Sequence, residues 1–201
     1  MKNSLYRNNK GFSLLEMVVA VLIMAIMAGA AIVAFNSVYN AQTSAASRVI
    51  ADGMKQARTK ALGLVNTTDA DGVSNVYAKF YKSGSSLFID VCSNYGGSET
   101  VFSSEKICSD RLDIRFCNVS GASVTDLVTV GDGTGTEPIV RVYFRKETGG
   151  ISLIVKTDNY GSFSDSDAVL ANNIRVINPN NSSEYRDIIM VDITGRCYVD
   201  E

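Results

Sequence analysis

The hydrophobic pattern divides this chain unevenly. From Met17 to Phe35 there are 19 consecutive uncharged residues, nearly all apolar. As a helix this run spans about 28 Å, close to the hydrocarbon thickness of a bilayer. Lys2, Arg7 and Lys10 precede it, no acidic residue occurs among the first eleven, and the chain stays uncharged after Phe35 until Arg48. The excess of positive charge before the run predicts that the short leader stays in the cytoplasm and that everything after about residue 36 lies outside. One carboxylate, Glu16, stands at the mouth of the apolar run.

Beyond the run the period changes twice. Between Ser44 and Leu64 the small or apolar positions Ala46, Ile50, Gly53, Ala57, Ala61 and Leu64 recur at spacings of three and four. Polar residues, among them Arg48, Asp52, Gln56, Arg58 and Lys60, fill the rest, which predicts an amphipathic helix with one stripe for a core. Asn66-Thr67-Thr68-Asp69 reads as its stop. Joined to the apolar run without an intervening proline, the helix from Phe12 to Leu64 would be about 80 Å long. From about Val76 the pattern becomes that of strands. Val76–Lys82, Leu87–Cys92 and Leu112–Cys117 mix β-branched and aromatic residues, Ile139–Lys146 and Ile151–Lys156 flank a turn signal, and Ile174–Ile177 and Ile188–Ile193 read as the last strands. Glu147-Thr148-Gly149-Gly150 is the clearest hairpin turn, and Val140, Val142 and Phe144 alternate with Arg141, Tyr143 and Arg145 to give one dry face and one mixed face. No strand–helix–strand alternation occurs, so the expected architecture is α+β, a long N-terminal helix packed on an antiparallel β-sheet head.

Composition narrows the chemistry. The 201 residues contain no histidine, which excludes a Ser-His-Asp triad, a Cys-His dyad and any His-ligated metal within the chain. A net charge of −2 argues against bulk nucleic-acid binding. Gly131-Asp132-Gly133-Thr134-Gly135-Thr136 has a glycine rhythm but no phosphate-loop lysine, and it ends at Glu137-Pro138 instead of opening a helix. Asp69-Ala70-Asp71-Gly72 lacks the remaining ligands of a calcium loop. Asp158, Asp165 and Asp167 form an acidic loop that either holds calcium or is simply solvated. Arg141, Arg145 and Lys146 make either a basic patch or the charges that guard a sheet edge. No enzyme and no cofactor is expected.

Three readings fit the N-terminal segment: a plain membrane anchor, a secretory signal cut after Ala28-Gly29-Ala30, and a third that uses every residue. Lys10-Gly11-Phe12-Ser13-Leu14-Leu15-Glu16 resembles the processing motif of type IV prepilins and type II secretion pseudopilins. The resemblance implies a cytoplasmic leader, residues 1–11, removed by a prepilin peptidase that cuts between Gly11 and Phe12 and methylates the new terminus. It implies a spine helix over residues 12–64, membrane-spanning over about 14–35, and a β-rich head over 65–201. The implied partners are other pilin or pseudopilin subunits met through the helix, the peptidase and methylase, the assembly platform of the inner membrane, and the cytoplasmic membrane itself. The implied destination is a filament in the periplasm or at the cell surface. A carboxylate near the end of a lipid-embedded helix is costly, roughly 2.5–3.5 kcal/mol for Asp at a helix centre and less toward the end. The Phe12 amine of a neighbouring subunit is the partner that the resemblance implies for Glu16. Loss of the leader would leave 16 basic against 21 acidic side chains, a balance of −5.

Two shorter stretches, Ala57-Arg58-Thr59-Lys60-Ala61 and Val191-Asp192-Ile193-Thr194-Gly195-Arg196, are similar to patterns of FimT/GspH-type minor pilins and pseudopilins. Some FimT-like members bind DNA in competence through arginines at this C-terminal strand. Arg196 matches the first of these, whereas Tyr198 stands at the second position and departs from the pattern. A minor structural subunit is therefore one expectation, and a DNA- or ligand-binding pilus subunit is the alternative. The four cysteines, Cys92, Cys108, Cys117 and Cys197, all lie in the outward part and include no C-x-x-C pair. An even count in an exported domain favours disulfides, with Cys92–Cys108 and Cys117–Cys197 the expected pairs, against free buried thiols as the other reading.

Overall fold

The computed structural model describes residues 12–63, 73–95, 98–109, 111–121, 123–131, 138–157, 168–178 and 181–200. Among the described residues one long helix, α1 (Leu14–Gly63), precedes ten strands. These are β1 (Val73–Ser83), β2 (Ser86–Tyr95), β3 (Ser98–Ser109), β4 (Asp113–Ser120), β5 (Ser123–Thr129), β6 (Ile139–Arg145), β7 (Ile151–Thr157), β8 (Asn173–Asn178), β9 (Asn181–Val191) and β10 (Arg196–Val199). The chain forms two compact units, Met1–Tyr39 and Asn40–Glu201. In the first, the described side chains from Phe12 to Ala31 are all exposed. The second contains the amphipathic part of α1 and every strand.

The strands form two five-stranded sheets, in the orders β3-β2-β1-β6-β7 and β10-β9-β8-β4-β5, and all the pairings are antiparallel. The expected single sheet is thus two, with a core between them. Phe80 of β1 and Phe116 of β4 meet edge to face across that core, ring centroids 5.3 Å apart. Such a pair adds about 0.5–1.5 kcal/mol beyond its burial. The helix joins on the same side of the first sheet. Ile89, directly opposite Phe80 in the β1–β2 register, lies so close to Gly53 that a Cβ there would come 2.6 Å from Ile89 Cδ1. Ala46, Ile50, Gly53, Ala57 and Ala61, the stripe read from the spacing, are all buried, and Met54 and Ser47 join them. Small residues at the contact let the helix backbone approach the sheet closely. Leu64, the helix stop at 66–69 and the loops at 132–137 and 158–167 lie outside the described residues.

The β6–β7 hairpin forms where its turn signal stood. Arg145 and Gly149–Gly150 exchange two backbone hydrogen bonds of 2.7 and 2.8 Å, and Gly149 takes the left-handed φ of 68° that the turn requires. Val140, Val142 and Phe144 are fully buried, as the alternation predicts. The edge-guarding reading of Arg141 is corrected, because β6 lies inside its sheet, between β1 and β7. Arg141 is itself buried, its guanidinium carbon 5.9 Å from the Tyr77 ring centre.

Candidate functional site

The candidate segment is described from Phe12, which is exposed. Gly11 lies outside the described residues. Phe12 and Ser13 are not helical, and α1 starts at Leu14. Ser13 and Glu16 close the helix end reciprocally: the Glu16 amide donates to Ser13 Oγ at 3.2 Å, and the Ser13 amide donates to Glu16 Oε2 at 3.3 Å. This is a capping box, which satisfies two of the amides that a helix start leaves without intrahelical partners. The Glu16 carboxylate therefore has an intramolecular role that the motif reading missed, although Ser13-x-x-Glu16 before an apolar run carries its signature. From Leu14 to Ala31 the helix is long and apolar enough to cross a membrane, at about 27 Å, and none of that surface is buried within the chain.

The two short stretches on α1 and near the C-terminus come together. Arg58 Nε donates to the Thr194 carbonyl at 2.6 Å across 136 residues of sequence. Thr194 sits in the β9–β10 turn, closed by Gly195 N–H donating to the Val191 carbonyl at 2.6 Å. The β6–β7 turn packs against the same place. Ile151 N–H donates to the Asp192 carbonyl at 2.8 Å, and a Cβ on Gly150 would stand 2.6 Å from that same oxygen. A Cβ on Gly195 would overlap the carbonyl oxygen of Gly149, and one on Gly149 would come 2.9 Å from Arg58 Nε. Three glycines thus let the two turns meet backbone to backbone beneath the Arg58 and Leu62 side chains of α1, joining both sheets to the helix. No local pattern announces this clasp, since its parts are about ninety and forty-five residues apart. Arg196, the residue of the DNA-contact expectation, follows it on β10 as an exposed side chain, with Cys197 half-buried and Tyr198 exposed beyond.

Neither expected disulfide is formed: all four cysteines are free thiols. The register explains why. On the β2–β3 ladder Cys92 faces Val101 and Cys108 faces Leu87, five positions away, or about 17 Å. Cys117 and Cys197 are separated by β8 and β9, three strand spacings or about 14 Å. A disulfide needs Cα atoms within about 7 Å. Burial pushes the Cys117 thiol up to about 11 and the Cys108 and Cys197 thiols up to about 12, and it raises Cys92 further, so all four stay protonated near neutrality.

An apolar helix of bilayer length followed by a two-sheet α+β head fits a single-pass, membrane-anchored class of protein. Residues 6–32 match the family model described as the prokaryotic N-terminal methylation motif. That match supports a type IV pilin- or pseudopilin-type subunit. No curated protein and no solved structure matches the chain.

Proposed function

We propose that this protein is a structural subunit, of the minor kind, in a type IV pilus or a type II secretion pseudopilus. It enters the cytoplasmic membrane with its N-terminus inside. The prepilin peptidase cuts it after Gly11 and methylates Phe12, and the subunit then joins the filament through its apolar helix. The observation that carries this reading is the methylation motif at residues 6–32, set on a helix whose Leu14–Ala31 surface is entirely uncovered in the single chain. Apolar surface of that extent is stable only against lipid or against other apolar helices, and a subunit that leaves the bilayer for a filament exchanges one for the other. Glu16 fits the same sequence of events. The capping box holds its carboxylate while the chain is alone, and the amine released at Phe12 gives a neighbour's Glu16 a charged partner on assembly.

Intact mass and N-terminal sequencing of the protein from its own membranes test the proposal. The expected chain starts at Phe12 and is one methylene heavier than its bare sequence. A chain starting at Met1 would make it a plain anchor, and one starting at Ala31 a secreted domain.

A further inference from the structure

We draw no further inference here: the strongest candidate, the open cleft of about 440 Å³ between the edge strand β7 and residues 168–172, lined by the exposed Leu170 together with Arg145 and Asp192, carries nothing because nothing in the structure shows what covers it.

Discussion

Replacing Gly195 by alanine tests whether the clasp is an organising contact of the head or a chance proximity. Gly195 has φ 61°, a left-handed conformation that costs an L-residue roughly 1–2 kcal/mol. The added methyl would also occupy the position of the Gly149 carbonyl oxygen. That oxygen belongs to backbone and cannot swing aside, so the β6–β7 and β9–β10 turns must separate, at the roughly 1–3 kcal/mol typical of overpacking. Separation stretches the Arg58–Thr194 bond, a charged donor on a carbonyl, for which about 1–2 kcal/mol is a fair share. The expected loss is about 3–7 kcal/mol, or roughly 6–28 °C in Tm for a unit of this size. Gly84→Ala is the control. Its φ is 57°, but nothing lies within 4 Å of the added methyl, so only the backbone cost of about 1–2 kcal/mol applies. The assay is thermal unfolding of the full chain in detergent, followed by near-ultraviolet circular dichroism of its nine tyrosines in the absence of tryptophan. Equal losses for Gly195→Ala and Gly84→Ala would refute the packing account of the clasp.

Four further outcomes are expected. Phe116→Ala should cost about 3–5 kcal/mol through the cavity left against Phe80, measured by denaturant unfolding; a loss below about 1 kcal/mol would deny that the two sheets share one core. At Gly11, alanine should be processed and a bulky residue should not, whereas Glu16→Val should be cut normally yet show less methylation and less filament incorporation, read by mass spectrometry of membrane and sheared fractions. Ser13→Ala should remove one half of the capping box and cost the helix start about 1 kcal/mol, seen as faster amide exchange at residues 14–17, while Ser13→Asp should restore protection. The buried Cys117 thiol holds its proton more tightly folded than unfolded, so its contribution is complete below its unfolded value near pH 9 and is lost as pH rises toward about 11. Stability should therefore decline over that interval by about 1.4 kcal/mol per pH unit from this group, and less steeply in Cys117→Ala; parallel pH profiles would argue against it.

Much of this molecule is legible along the chain because the relevant forces are local or periodic. Nineteen uncharged residues after a basic leader mark a segment of membrane-crossing length whatever follows them, since bilayer thickness and helix rise set that length. The motif from Lys10 to Glu16 is contiguous, so its chemistry is readable without a fold. The stripe from Ala46 to Ala61 emerges from its spacing alone, because one helix face must be buried. Strands β3, β5 and β10 escape such a reading. β3 and β5 are exposed edge strands with little apolar alternation, and β10 has only four residues. Tertiary structure decided what depended on register and on partners far apart in sequence. It split the strands into two sheets, placed Arg141 inside one of them, and set the cysteines several residues or strands apart. It also brought Arg58 to Thr194. Each of these rests on which strand lies beside which, and a one-residue change of register would undo it while leaving every local pattern in place.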